Sequence, residues 1–486
     1  MMKATHLVFI AIVLFFCNLL KAQTVNPLQF PKDKFTLETK KVRTTKGEVE
    51  VIYRAYMHIP YVANPVDKDY QSLNVFVPVK IDGKDTDASN APILFEIAMG
   101  GYMSVNNAES IEAKQVKLSY RADLALVAGF VVVSTGCRGR DNRTANGKYY
   151  GKAPAVIVDL KAAVRYIRFN KGVLPGNVDW IVSVGCSAGG AVSALLGTSG
   201  NSPLYESYLN KIGAANASDN IFASACYSPI TDLEHADMAY EWMYGQTPNR
   251  SGLVDQKLSK QLAKAYAEYQ QSLNLKGRGD FGMVTAQNYQ DYLIRYFLSP
   301  SASRFLKDSP DSVRNDYLKK NIWITWKDNK ASFTFKDFVS HVGRMKGLPA
   351  FDDFNKKSPE NILFGNDSVD ARHFTNFSLR HLKSNKRSEI DNDIKNFTNL
   401  MNALYFVKQD NKGCAQYWWL RNGTSDNHTS QTVMINLATR LQNINKDVNA
   451  WLFWDGVHCA DYDPEGFIEW IKNITGYRIQ INTIEK

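Results

Sequence analysis

Apolar positions along this chain fall into short runs that alternate between the period of a strand and the period of a helix. From about residue 35 to 82, Val49, Val51 and Tyr53 alternate with polar neighbours and Leu73-Asn74-Val75-Phe76-Val77 runs almost unbroken, which predicts an antiparallel β entry. Ala91 to Ile97 predicts a buried strand that ends in Met99-Gly100-Gly101-Tyr102. Ala125 to Ser134 holds the next strand, Gly129-Phe130-Val131-Val132-Val133-Ser134, followed by Thr135-Gly136-Cys137-Arg138-Gly139-Arg140. Ala153 to Phe169 places Val156, Leu160, Ala163, Val164 and Ile167 on one side of a helix. Trp180 to Val184 is a further apolar run, which turns through Gly185-Cys186-Ser187-Ala188-Gly189 into a helix rich in Ala and Leu. Strands and helices in this alternation predict a mostly parallel sheet with helices on both faces.

The pattern then breaks. Phe222 to Tyr227 predicts one more strand, leading to Ser228-Pro229-Ile230-Thr231-Asp232. From about Glu234 to Asn402 the alternation is lost, leaving helical stretches at Gln256 to Ser272 and Asn288 to Leu298, with Trp323 and Trp326 among polar loops. It returns near Ala415 with a strand, a helix over Ser430 to Asn445, a last strand at Asn449 to Trp454 and a closing helix over Pro464 to Ile474. The expected organisation is an α/β core over residues 23–233 and 403–486, interrupted by an inserted domain over 234–402 that would cover it as a lid. No internal repeat stands out.

The first 22 residues stand apart from this fold. Lys3 precedes an apolar run from Leu7 to Leu20, and Lys21-Ala22-Gln23 follows, the form of a secretory signal peptide cut after Ala22. Cys17 follows Phe15 and Phe16 rather than small residues, which argues against a lipoprotein anchor. No later stretch is apolar enough to span a membrane, so export to the periplasm or the medium is expected. The formal charge of +10 stays basic once Lys3 and Lys21 leave with the leader, but the basic residues are dispersed and no nucleic-acid motif is present. Of the six cysteines, five remain after the leader, an odd number that leaves at least one thiol unpaired.

Ser187 lies at the apex of Gly-x-Ser-x-Gly between a strand and a helix, the context of a nucleophile elbow. The alternative is a glycine-rich turn whose serine caps the helix. A serine hydroxyl needs an imidazole base, and the base needs a carboxylate to fix its tautomer. In this architecture the order along the chain is Ser, acid, His. His458 lies just past the last strand, where the base is expected. Asp426, just past the penultimate strand, is the expected acid; a helix-capping role is its alternative, and Asp455, Asp461 and Asp463 lie too near His458 in sequence to be preferred. The oxyanion hole is expected from the N–H groups of Ala188 and Gly101. No metal or cofactor is called for.

Cys186 precedes the serine and Cys459 follows the histidine. If the triad forms, the two are brought close enough to bridge in an exported protein; two separate buried thiols are the alternative. The partners of Cys137, Cys226 and Cys414 are left open.

With Cys-Ser, Asp and His-Cys in that order around a large insertion, the chain resembles the tannase and feruloyl esterase group of α/β-hydrolases, whose hallmark is a disulfide between those two cysteines. The likeness is closest to the bacterial tannase-like esterases. It runs from about Leu73 to the C-terminus and rests on GCSAGGAVSALLG, the Asp426-Asn427-His428-Thr429-Ser430 stretch, Gly-Val-His before Asp461-Tyr462-Asp463, and Pro349-Ala350-Phe351-Asp352-Asp353-Phe354 with Ser358-Pro359-Glu360-Asn361 in the insertion. The resemblance implies Ser187, Asp426 and His458 as the triad. It implies Lys346 and Glu360 as contacts to the hydroxyls of a galloyl ester. In those tannases a second Asp follows the catalytic one by two positions; here that position is His428, and strict gallate specificity is not expected.

The expected activity is an exported serine esterase cleaving galloyl or hydroxycinnamoyl esters through an acyl-enzyme, with a small-molecule phenolic ester as its partner. A hydrolase-fold binding protein without turnover and a serine exopeptidase are the competing readings, although no propeller repeat accompanies the latter.

Overall fold

The alternating segment near the N-terminus forms a hairpin, β1 (Thr36–Thr44) and β2 (Gly47–Pro60), with Thr36 opposite Ala55 and Thr44 opposite Gly47. The computed structural model describes residues 27–107, 118–382, 389–407 and 412–481, so the expected export segment at 1–22 lies outside the described residues. β3 (Ser72–Ile81) pairs antiparallel with β2 and with β6 (Val131–Thr135), and β4 (Lys84–Asp87) pairs antiparallel along the end of β3. From there the sheet turns parallel. β6, β5 (Ile93–Ile97), β7 (Ile181–Cys186) and β8 (Ala223–Tyr227) lie side by side.

The sheet continues across the insertion. Two short hairpins fall within it, β9 (Leu275–Lys276) with β10 (Met283–Val284) and β11 (Thr325–Lys327) with β12 (Lys330–Ser332). β13 (Tyr417–Gly423) then pairs parallel with β8, and β14 (Asp447–Phe453) parallel with β13. With β15 (Gln480–Ile481) on β4, eleven strands form one sheet in the order β1-β2-β3-β6-β5-β7-β8-β13-β14. The central strands are buried on both faces, as parallel strands covered by helices must be: every position of β5 and β8 is buried.

Helices flank this sheet. α1 (Tyr120–Val127), α2 (Ala155–Phe169) and α3 (Ala188–Thr198) belong to the first half of the chain, α4 (Leu233–Tyr244) and α5 (Gln256–Ser272) to the insertion, and α6 (Gln431–Asn443) and α7 (Pro464–Thr475) to the last part. α1 runs to Val127, Gly129 at φ +80° stops the helix, and β6 starts at Val131, inside the expected strand from Gly129 to Ser134. One element differs from expectation. The helix expected at Asn288 to Leu298 runs on to Asp308 through a π turn over Ile294–Leu298, just before Pro300, which has no N–H to give.

Register decides where chemistry can sit. Ile97 lies opposite Gly185, Cys186 opposite Tyr227, Tyr227 opposite Arg421, and Gly423 opposite Phe453. The carboxyl ends of β5, β7, β8, β13 and β14 therefore line one edge, where open parallel sheets bind ligands. Among the described residues no helix is long and apolar enough to cross a membrane.

Candidate active site

β7 ends in a turn that only small residues can make. Ser187 takes φ 57° and ψ −122°, a sparsely populated conformation for a residue with a side chain. A Cβ on Gly185 would stand 2.4 Å from the Gly189 carbonyl oxygen, and one on Gly189 would stand 2.9 Å from the carbonyl oxygens of Ile97 and Met99. The Ser187 N–H donates to the Tyr227 carbonyl at 3.0 Å, and the Gly189 N–H to the Met99 carbonyl at 3.2 Å. The first bond holds the serine to the end of β8, and the second presses the turn after β5 against the start of α3. The Ser187 side chain makes no capping bond to α3, so the helix-cap alternative is not what the fold uses.

The loops after β13 and β14 are fused by close backbone contact. The Ser425 N–H donates to the Gly456 carbonyl at 2.9 Å, the Asp455 N–H to the Thr424 hydroxyl at 2.8 Å, and a Cβ on Gly423 would meet the Gly456 oxygen at 2.1 Å. This packing delivers His458 to Asp426. His458 Nδ1 lies 2.8 Å from Asp426 Oδ2, and the carboxylate is buried. Asp426 Oδ1 accepts the His428 N–H at 3.1 Å. The other nearby acids are engaged elsewhere. Asp455 binds His341 at 2.7 Å and the Tyr317 hydroxyl at 2.6 Å, Asp461 pairs with Arg121 at 2.7 Å, and Asp463 caps α7.

A disulfide joins Cys186 to Cys459, with Cα atoms 5.7 Å apart and 273 positions between them in sequence. It ties the residue before Ser187 to the residue after His458. The Ser228 hydroxyl, at the end of β8, accepts the Cys459 N–H at 3.2 Å and donates to Asn422 at 2.9 Å. Cys137, Cys226 and Cys414 are unbridged and buried; burial raises all three thiols, Cys226 to about 12 and Cys414 to about 11, so they stay protonated. Loop-closure entropy for a ring of this size amounts to about 5 kcal/mol. A Cys186→Ser, Cys459→Ser double variant is therefore expected to melt well below the parent, by ten degrees or more on an order-of-magnitude basis, which thermal unfolding with and without reductant will check.

Gly101 and Tyr102 both have positive φ, at 53° and 58°. Among the described residues neither the Gly101 nor the Ala188 N–H has a hydrogen-bond partner. The turn is held by the Met103 N–H on the Gly100 carbonyl at 3.0 Å and by the Tyr102 hydroxyl on the Ile230 carbonyl at 3.0 Å.

The insertion brings its own charged groups to the same place. Lys346 sits with Nζ 3.5 Å from the centroid of the Phe351 ring. Burial lowers its pKa, against the raising influence of Glu360, Asp237 and Asp426. Glu360, in the short helix Pro359–Leu363, is buried; burial raises its carboxyl, and Lys346 and Arg140 act the other way. His428 stacks on His458 with ring centroids 4.0 Å apart and planes 7° off parallel. Burial lowers the His428 pKa below its ordinary value, and His458 and Lys346 lower it further while Asp426 raises it, so the net shift favours the neutral imidazole.

Three residues that the sequence did not single out hold the site together. The Tyr240 hydroxyl accepts the N–H groups of Met345 and Lys346 at 3.2 and 3.0 Å and donates to the Asn427 carbonyl at 3.0 Å, fixing the Lys346 loop to the segment that carries Asp426. Ser228 links three strand ends as described. Arg140 donates through Nε to the Gly101 carbonyl at 2.7 Å. Among the described residues no group of three His, Cys, Asp or Glu side chains is placed to hold a metal ion.

The chain is similar to known esterases and tannases. Residues 80–274 match the BD-FAE family model. The esterase LipC of Mycobacterium tuberculosis (strain ATCC 25618 / H37Rv) is 28% identical over 172 residues, covering 35% of this chain and 36% of that protein, so the match spans about a third of that relative. The Fusobacterium nucleatum tannase structure superposes with a TM-score of 0.79 at 35% identity, over 92% of this chain and 99% of that one. A tannin acyl hydrolase solved in complex with ethyl gallate gives 0.80 at 33% identity, over 92% and 99%. A parallel sheet with these likenesses defines a carboxylic-ester hydrolase. Within that class, the chain belongs to the tannase and feruloyl esterase group of α/β-hydrolases.

Proposed function

We propose that the protein is an exported serine esterase that hydrolyses esters of phenolic acids through a Ser187–His458–Asp426 triad. The observation that carries this is the 2.8 Å His458–Asp426 contact, held to the elbow serine by the Cys186–Cys459 bridge. His458 takes the Ser187 proton as the hydroxyl attacks the ester carbonyl. Asp426, on Nδ1, fixes the tautomer and stabilises the imidazolium. The Gly101 and Ala188 N–H groups receive the charge on the tetrahedral oxygen. The alcohol leaves with the proton from His458, and water, activated by the same imidazole, releases the acid.

The insertion acts as a lid whose Lys346 and Glu360 read phenolic hydroxyls. Supporting this, Glu360 is buried, the partly buried Lys346 feels the charges of both Glu360 and Asp426, and a related tannin acyl hydrolase has been solved with ethyl gallate. His428, neutral, offers an imidazole where the tannases have a carboxylate. It relaxes the preference for gallate and admits hydroxycinnamoyl esters. The expected leader at residues 1–22 supports export, and the bridge suits an oxidising compartment.

Kinetics on methyl gallate, methyl ferulate and p-nitrophenyl acetate test the acyl preference. Lys346→Met is expected to raise KM for methyl gallate by about tenfold or more, the cost of losing a charged hydrogen bond, and to leave p-nitrophenyl acetate unchanged. An equal loss on both esters would remove the hydroxyl-reading role. A parent enzyme that strongly prefers the acetate would remove the phenolic one.

A further inference from the structure

The turn that carries the Gly101 N–H closes on one bond of its own, from the Met103 N–H to the Gly100 carbonyl. Gly100 and Gly101 are adjacent, Gly101 and Tyr102 both sit at positive φ, and a Cβ on either glycine would meet nothing within 4 Å. Such a peptide can rotate freely unless its carbonyls are pinned. Three successive peptide planes are pinned here. The Gly100 carbonyl accepts the Met103 N–H at 3.0 Å, the Gly101 carbonyl accepts Arg140 Nε at 2.7 Å, and the Tyr102 carbonyl accepts the Arg140 backbone N–H at 2.9 Å. Two of the three bonds come from one residue.

Arg140 is itself rigidly placed. The loop after β6 is anchored two residues earlier by Arg138, whose N–H and guanidinium bind Asp159 of α2, with Nη2 to Oδ1 at 2.8 Å. Val105 and Cys137 exchange backbone bonds of 2.9 and 3.1 Å alongside. Lys152 Nζ holds the Arg140 carbonyl at 2.8 Å and reaches Asp370 of the insertion at 2.8 Å.

Resting on the triad chemistry above, we propose that Arg140 is the positioning residue of the oxyanion turn: the Gly101 N–H shares its peptide plane with the Gly100 carbonyl, which Met103 holds, and the Arg140 Nε–H on the Gly101 carbonyl fixes the next plane, so that Gly101 is clamped between two pinned planes and its N–H is aimed before charge develops. A preset donor costs no reorganisation as the oxyanion forms, which is what makes it catalytic rather than merely attractive to substrate. The side-chain bond is the one that substitution removes; the backbone bond to Tyr102 survives in any variant.

Arg140→Ala, Arg140→Gln and Arg140→Lys, assayed on p-nitrophenyl acetate and methyl gallate, test this. The acetate has no ring hydroxyl for Glu360 to contact, so it isolates the turn. Arg140→Ala is expected to lower kcat by about 10- to 100-fold on both esters, with KM within about twofold. An aryl boronic acid, which forms a tetrahedral adduct with Ser187, should lose affinity by the same factor, while inhibition by planar gallic acid is unchanged. Arg140→Lys should recover part of kcat, because an ammonium can still reach the carbonyl. If the alanine variant does not fold, the lysine and glutamine variants carry the same comparison. Unchanged kcat overturns the proposal. So does a KM increase confined to methyl gallate, which would make Arg140 a substrate contact, or an equal loss of boronate and gallate affinity with a lower Tm, which would make it structural. Full activity in Ser187→Ala would instead overturn the triad chemistry.

Discussion

A Ser187→Ala variant is expected to lose about six orders of magnitude in kcat on aryl esters, the loss seen when a triad serine is removed from a protease, with its melting temperature unchanged. The two halves of that expectation have separate grounds. The Ser187 hydroxyl caps no helix, so its removal breaks no structural bond. Alanine keeps the Cβ and so tolerates the turn at φ 57° as well as serine does. What is lost is the nucleophile, and no second hydroxyl stands at the apex between β7 and α3. Steady-state kinetics alongside thermal unfolding checks both halves, and a fluorophosphonate probe should label the parent at Ser187 and leave the variant unlabelled. Activity within tenfold of the parent would end the assignment.

Asp426→Asn is expected to cost about 10⁴ in kcat with little change in KM. Asparagine fits the buried space and can still accept the His428 N–H. It can also present an amide N–H to His458 Nδ1, which would leave the proton on Nε2, where a base cannot use it. The informative control is Asp455→Asn. Asp455 lies closer to His458 in sequence, yet its carboxylate is committed to His341 and Tyr317. Its amide variant should keep kcat within a few-fold of the parent, and the contrast between the two variants identifies which acid orients the base. Equal losses in both would mean that the loops after β13 and β14 move as a unit and that neither carboxylate acts alone.

What could be read from the chain and what could not divides along a physical line. Ser187, Asp426 and His458 each lie at the carboxyl end of a parallel strand, and a strand followed by a tight turn is a local pattern. Chain order then ranks the acids, and the structure places Asp426, not Asp455, Asp461 or Asp463, on His458. The cysteines were legible because each neighbours a site residue. Tyr240, Arg140 and Ser228 were not, because their work is done across space. Tyr240 reaches 105 and 187 positions along the chain to bind Met345 and Asn427. Within the insertion, short helices and two-residue strands give too little periodicity to read. Lys346 and Glu360 came from family resemblance alone, and the structure sets them in one charged neighbourhood with Asp426 and Arg140.

The bond between Cys186 and Cys459 makes a closed loop of everything between them, the whole insertion included. A protease that cuts the backbone once anywhere inside that loop yields two polypeptides that are still a single molecule, with serine and histidine joined through sulfur rather than through the peptide chain. A chain nicked within that loop thus keeps its two halves from drifting apart.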